Sequence, residues 1–347
     1  MKVLVLGGTR FLGRAVVSCA AVAGHEITCF RRGIAGSIDQ PVQLVRGDRE
    51  DIADIARLAA SGEWDAVIDT SAYVPRWTKE MAVALEPVVA RYVVVSTVAV
   101  YRDWPTSATT EDSPVFVCPP NAVADTAGYG TLKSGCETAV REVFGPDRTT
   151  VLRPGAILGP HDYLGRLPWW LRRIARGGRV LAPGDPGRAI TPVDVRDVAA
   201  FALRCAHGRG GTFNVAGPPD SATMTDLLSD CRSVTGSRAR LFWVTDEEWL
   251  ARQGITPWTG LPLWRREPEV WQVDASRARQ AGFTTRPLLD TVADTWDWLS
   301  SSADDAATAT EGNGISAETE QALLTRWDKL KAQAGQLGAA NAADSTG

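Results

Sequence analysis

The chain has 347 residues, 44% of them hydrophobic and 22% charged, with a net charge of −4. That length holds one large domain or two that share a cleft, and the acidic balance argues against a nucleic-acid partner. No apolar run approaches the ~18 residues of a membrane helix, and the chain opens on a strand pattern with no signal-peptide n-region, so a cytoplasmic protein with no membrane partner is expected.

Met1 to Leu6 is a short apolar run suited to a buried strand, and Gly7-Gly8-Thr9-Arg10-Phe11-Leu12-Gly13 follows it. A helical pattern then runs over 11–23. Strand, glycine turn and helix open a dinucleotide-binding βαβ unit. The turn lets backbone approach a pyrophosphate, and the helix N-terminus offers it free N–H groups. Further strands are predicted at 25–30, 42–46, 65–69, 92–96 and 149–153, with helices at 50–60, 77–88 and 127–143. This alternation implies a doubly wound parallel sheet, covered on both faces, over residues 1–160.

After residue 160 the rhythm loosens. Helices are predicted at 168–176, 195–205, 225–235, 246–252 and 288–299. Thr212 to Ala216 reads as a strand returning to the main sheet, so 185–217 belongs with the first domain. Residues 161–300 otherwise form a smaller α/β substrate-binding lobe. The small polar residues at 300–315 read as a linker, 316–334 as a C-terminal helix, and 335–347 as a disordered tail.

Six scattered cysteines without a CxxC pair suggest buried thiols in a reducing compartment, and no metal is expected. The three histidines rule against histidine-based chemistry. Ten of the thirteen tryptophans lie from Trp169 onward. Most are expected in the core, with Trp169, Trp170, Trp258, Trp264 and Trp271 candidates for a pocket that covers a flat or apolar metabolite.

Tyr129 and Lys133 stand four apart on a predicted helix and share a face. An ammonium beside a phenol favours the phenolate. The pair would move a proton on a hydroxyl or carbonyl while a nicotinamide moves hydride. Ser96-Thr97 ends the apolar strand 92–96, where a parallel sheet opens onto its ligand crevice. A hydroxyl there would hold the reacting oxygen, or else satisfy local backbone.

Six segments in this order resemble an extended short-chain dehydrogenase/reductase of the NAD(P)-dependent epimerase/dehydratase family, in its GGTRFLG-type reductase branch. They are GGTRFLG (7–13), RGDRED (46–51), VVVSTVAVY (93–101), YGTLK (129–133), LRPGAILGPHD (152–162) and DVRDVA (194–199). The resemblance covers roughly residues 1–300. It implies a Rossmann sheet of about seven strands and a C-terminal substrate lobe. By that resemblance Thr97, Tyr129 and Lys133 are catalytic, with Lys133 lowering the Tyr129 pKa and also binding the nicotinamide ribose. Gly7, Thr9, Arg10, Phe11, Leu12 and Gly13 would form the pyrophosphate turn, and Asp48 would accept from adenine. Family members also dimerise through two helices, here 77–88 and 127–143, so a homodimer is expected.

Departures from the family pattern refine this reading. Arg10 replaces the middle glycine of the turn. Arg31 and Arg32 stand where NAD-binding members carry an acid. Arginine pairs with a 2′-phosphate through charge-assisted hydrogen bonds, so NADP is expected, with NAD the alternative. Val98-Ala99 replaces the acid pair of sugar 4,6-dehydratases, and Ala156 replaces an asparagine that holds sugar nucleotides. Tyr73, Val98 and His161 are candidate substrate contacts.

These features point to an NADP-dependent oxidoreductase acting on a secondary alcohol or ketone of a small metabolite. An epimerase with tightly held nicotinamide is the alternative, as is a non-catalytic Rossmann protein akin to plant chloroplast RNA-binding relatives.

Overall fold

The computed structural model describes residues 1–33, 40–208, 210–301 and 313–344, with side chains described through residue 333. Its first half alternates strand and helix. In chain order these are β1 (Lys2–Leu6), α1 (Phe11–Val22), β2 (Glu26–Arg31), β3 (Gln43–Arg46), α2 (Ile52–Ala59), β4 (Ala66–Asp69), α3 (Pro75–Leu85), β5 (Tyr92–Val95), α4 (Tyr129–Phe144) and β6 (Thr149–Pro154). Then come β7 (Ile157–Leu158), α5 (Arg166–Ala175), β8 (Arg179–Pro183), β9 (Val193–Asp194), α6 (Val195–His207) and β10 (Gly211–Val215). The chain ends in α7 (Met224–Val234), β11 (Arg240–Val244), α8 (Glu247–Arg252), β12 (Pro257–Trp258), β13 (Leu261–Pro262), α9 (Ser276–Gln280), α10 (Leu288–Ser301) and α11 (Ala317–Asp344).

Seven parallel strands form the central sheet in the order β10-β6-β5-β4-β1-β2-β3. Alternation along β1 explains its burial on both sides. Val3 and Val5 pack with α1 and α6, whereas Leu4 and Leu6 pack with Leu58, Met81, Leu85 and Val140 of α2, α3 and α4. The sheet reverses its direction of growth between β1 and β4. Open α/β sheets bind ligands at that point, beyond the carboxyl ends of the strands.

The strand at 211–215 does return to the sheet, beside β6. Helix α6 starts where Asp194 accepts from the Arg196 N–H at 2.7 Å, so this aspartate of the DVRDVA segment caps a helix.

A second core lies in the lobe and includes Trp170, Leu227, Leu228, Leu250, Leu323 and Leu324. Glu320 of α11 is buried there. It accepts from Arg173 Nε at 2.5 Å and from the Leu181 N–H at 3.0 Å, which ties α11 to α5 and β8. The helix continues to Asp344, past Gly335 where the sequence suggests a disordered tail. Six of its last eleven residues are alanine or leucine, both strong helix formers. Most of the expected linker at 300–315 lies outside the described residues.

All six cysteines are free thiols. Among the described residues, no helix is long and apolar enough to cross a membrane.

Candidate active site

The glycine turn sits at the carboxyl end of β1. Gly7 has a φ of 89°, a backbone conformation that favours glycine. A Cβ on Gly13 would lie 2.0 Å from the Gly7 carbonyl oxygen, so the first turn of α1 can close on β1 only without a side chain there. Arg10 precedes α1 in extended conformation and makes no side-chain cap. This cradle fits a dinucleotide pyrophosphate, because the first N–H groups of α1 are left uncapped by side chains at the glycine turn. Thr9 is half-buried, and Phe11 and Leu12 are buried in the core, so these two would serve a cofactor through backbone.

Arg31 ends β2 half-buried and Arg32 follows it exposed. The Arg32 carbonyl accepts from Arg46 Nε at 3.2 Å. Asp48 accepts from the Glu50 N–H at 3.0 Å and remains half-buried at the end of β3.

Beside Asp48 lies a cluster that the sequence does not flag. Arg49 donates to both oxygens of Asp69, at 3.1 and 3.0 Å, and to Ser71 Oγ at 2.7 Å. Tyr92 donates to Asp69 at 2.8 Å. Burial alone would raise the Asp69 carboxyl, but the Arg49 guanidinium, with the Ser71 N–H and the Tyr92 hydroxyl, holds it below the ordinary range. A Cβ on Gly7 would lie 3.0 Å from Ser71 Cβ, so this cluster adjoins the glycine turn.

The three predicted catalytic residues come together. Tyr129 is the first residue of α4, and Thr97 follows β5 and leads into a 3-10 turn at Val98–Val100. The Thr97 side chain, whose Oγ1 accepts from the Ala99 N–H at 3.2 Å, is close enough to the Tyr129 phenol to favour its ionised form. Gly130 allows this approach: a Cβ there would lie 1.9 Å from the Ala99 carbonyl oxygen. Lys133 is 3% exposed, and its Nζ donates to the carbonyls of Ala72 and Val95, both at 2.6 Å. Ser96 is engaged elsewhere, with its Oγ 2.5 Å from Glu137 Oε1, leaving the Thr97 hydroxyl as the one beside the phenol.

The electrostatics run in a different direction from the expected pairing. Tyr129 is 54% exposed as a residue, but desolvation around its phenol raises the pKa above the ordinary value, and the nearby Thr97 side chain offsets only part of this. Burial also draws the Lys133 ammonium down. That ammonium is held by two backbone carbonyls, so sharing a helix face with Tyr129 does not bring the phenol toward neutrality.

The candidate substrate contacts divide. Tyr73 is half exposed; its ring lies 6.5 Å from that of Tyr129 and 5.2 Å from the Lys133 ammonium. Val98 is 4% exposed and packs with Val100, Tyr101 and Val273, so its side chain belongs to the core. The His161 ring packs 5.1 Å from Trp298 of α10.

Two neighbours escape sequence reasoning. Tyr163 lies close enough to act on the Tyr73 phenol, and its ring lies 6.5 Å from Phe11 and 5.6 Å from the Arg10 guanidinium. Arg166 acts electrostatically on both Tyr129 and Tyr163 and lies 5.1 Å from the Trp258 ring. Of the five tryptophans suggested as pocket lining, Trp169, Trp170, Trp264 and Trp271 are buried in the lobe core. Trp258 is half-buried, with Arg265 also 5.0 Å from its ring. Among the described residues no group of His, Cys, Asp and Glu could hold a metal ion.

Residues 3–216 match the profile of the NAD dependent epimerase/dehydratase family. The chloroplast stem-loop binding protein of 41 kDa b of Arabidopsis thaliana is 26% identical over 256 residues, covering 68% of this chain and 63% of that protein. The 2'-dehydrokanamycin reductase of Streptomyces kanamyceticus is 30% identical over 195 residues, covering 53% of this chain and 52% of that one. The chain therefore spans less than two thirds of either relative. The Bordetella bronchiseptica enzyme WbmH in complex with NAD+ shares the fold, with a TM-score of 0.65 and 19% identity, over 87% of this chain and 99% of that one.

Proposed function

The chain belongs to the NAD-dependent epimerase/dehydratase family, a family of enzymes, and from that premise we propose that it is an NADP-dependent oxidoreductase. The observation that carries the reading is the convergence of Thr97, Tyr129 and Lys133 at the ends of β5 and α4, with Tyr163 beside both Tyr129 and the Arg10 and Phe11 of the glycine turn. Bound nicotinamide would supply or accept hydride at a secondary alcohol or ketone carbon. The Thr97 hydroxyl would hold the reacting oxygen. Tyr129 would give a proton to that oxygen in reduction and take it back in oxidation. Lys133, fixed by the carbonyls of Ala72 and Val95, would direct its remaining N–H toward the nicotinamide ribose.

The turn at Gly7, Thr9, Arg10 and Gly13 would hold the pyrophosphate, with Phe11 and Leu12 contributing backbone. Asp48 would accept from adenine, and Arg31 with Arg32 would take the 2′-phosphate. Tyr73, Tyr163 and Arg166 would border the substrate. The name of the 2'-dehydrokanamycin reductase relative supports a reductase. We further propose a homodimer through α3 and α4, which lie side by side and are joined by a 3.0 Å bridge between Lys79 and Glu142.

An epimerase, oxidising and re-reducing one carbon on retained nicotinamide, is the second reading, favoured by the family's name. Stoichiometric NADPH consumption with a carbonyl substrate supports the reductase. Turnover without added cofactor supports the epimerase. Bound nucleotide with no turnover in a broad carbonyl and alcohol screen would remove both.

A further inference from the structure

Three consecutive residues at the end of β5 each meet α4. The Val95 carbonyl accepts from Lys133 Nζ at 2.6 Å, Ser96 Oγ donates to Glu137 Oε1 at 2.5 Å, and the Thr97 side chain is close enough to act on the Tyr129 phenol. Residues 129, 133 and 137 stand one turn apart on a single helix face. Two of these contacts belong to the candidate site. The third, between Ser96 and Glu137, has no part in the proposed chemistry and is almost fully buried, with 4% and 1% exposure.

Glu137 is itself clamped from behind. Arg153 of β6 donates from Nε to Oε1 at 2.9 Å and from Nη2 to Oε2 at 2.6 Å. Arg153 Nη1 also donates to the Tyr101 hydroxyl at 3.1 Å, which donates to Asn214 Oδ1 of β10 at 2.5 Å. A bidentate guanidinium fixes a carboxylate in angle as well as distance. A buried ion pair often adds little stability over apolar packing of the same shape, whereas this one fixes the position of the Glu137 carboxylate against β6.

We propose that Ser96 and Glu137 are positioning residues: their bond sets the roll of α4 against β5, and hence the separation of the Tyr129 phenol from the Thr97 hydroxyl. The inference rests on the catalytic reading of Tyr129 and Thr97. At a helix's outer radius of roughly 5–6 Å, a roll of about 10° moves a side-chain tip by about 1 Å. A misplacement of about 1 Å can cost on the order of a hundredfold in rate.

The test is Ser96→Ala in the full-length protein, which leaves the Glu137–Arg153 ion pair in place. Only five tyrosines are present, so 13C labelling of tyrosine with NMR follows each phenol, and Tyr129→Phe assigns the resonance. The groups that act on the Tyr129 phenol are Thr97, Tyr163, Arg166 and Cys136, with the Tyr73 ring alongside; Ser96→Ala changes none of them. The Tyr129 titration is expected to move up, as in Thr97→Ala, because the Thr97 hydroxyl that favours the phenolate is drawn away from it. Where the protein turns over, kcat falls about tenfold or more while cofactor Kd stays within about twofold. Ser96→Thr, which keeps the hydroxyl, restores both. Should Ser96→Ala not fold, Ser96→Cys, with a weaker donor, is read the same way.

A Tyr129 titration that shifts in Thr97→Ala but stays at its wild-type position in Ser96→Ala overturns the proposal. Absence of hydride transfer in the wild type would count against the functional reading alone, because the tyrosine titration needs no turnover.

Discussion

The Lys133 ammonium lies 5.2 Å from the centroid of the Tyr73 ring while donating to the carbonyls of Ala72 and Val95. Two of its three N–H groups are therefore committed to backbone at the ends of β4 and β5. Lys133→Met would leave both buried carbonyls without this donor. An unsatisfied buried group costs roughly 1–3 kcal/mol, so the variant is expected to lose about 2–4 kcal/mol in urea denaturation as well as cofactor affinity. An unchanged unfolding midpoint would show that the ammonium is not structurally held.

Tyr129→Phe removes the proposed proton donor and leaves the ring. The expected result is a fall in kcat of roughly 10²- to 10⁴-fold with NADPH affinity unchanged by calorimetry. Because desolvation holds the phenol above its ordinary pKa, the neutral form dominates across neutral pH. Carbonyl reduction, which uses the phenol as acid, should be flat there. Alcohol oxidation, which uses the phenolate, should rise about tenfold per pH unit toward the phenol's pKa. A plateau in oxidation beginning near pH 7 would mean that the pKa is depressed after all.

Asp162 is fully buried, and its Oδ2 has no hydrogen-bond partner. Burial pushes its carboxyl up to about 6, against 3.8 for the free side chain. The folded state thus binds this proton more tightly than the unfolded state does, so ionised Asp162 costs stability above pH 6, and the cost is relieved as pH falls from about 6 toward 4. That rise bounds the effect at about 3 kcal/mol. Asp162→Asn should stabilise the protein at pH 7 by about 1–2 kcal/mol, since its amide would remain partly unsatisfied, and the gain should vanish near pH 4. Thermal unfolding at the two pH values checks it; a destabilised variant at pH 7 would contradict the assignment.

Glu320 holds α11 against the lobe through Arg173 and the Leu181 N–H. Removing one partner of a buried ion pair costs roughly 3–5 kcal/mol. Glu320→Ala should lose about that much and expose α11 to limited proteolysis. Arg179→Ala, at the half-exposed bridge to Asp328, should cost no more than about 1 kcal/mol. Equal losses in both variants would be inconsistent with this ranking.

Sequence periodicity locates what is local. The apolar run at 2–6, the glycines at 7 and 13 and the alternating segments to residue 154 are enough to place β1 to β6, because each is encoded within one element. Tyr129 and Lys133 are legible for the same reason. Their electrostatics are not, since the carbonyls that capture Lys133 belong to residues 72 and 95. Arg49 with Asp69, Glu137 with Ser96, and Tyr163 with Tyr73 all join separate elements, and neither helical nor strand spacing points to such pairs. Gly130 carried a usable signal: a glycine just inside a helix start is unfavourable unless another backbone must come close, as Ala99 does.

Calorimetric titration of the wild type and Arg31→Asp with NADPH and with NADH decides the cofactor and with it the proposed reductase chemistry. NADPH is expected to bind at least about tenfold tighter in the wild type, a difference of about 1.4 kcal/mol, with the preference abolished in the variant. Equal or tighter binding of NADH, or no binding of either, would contradict it.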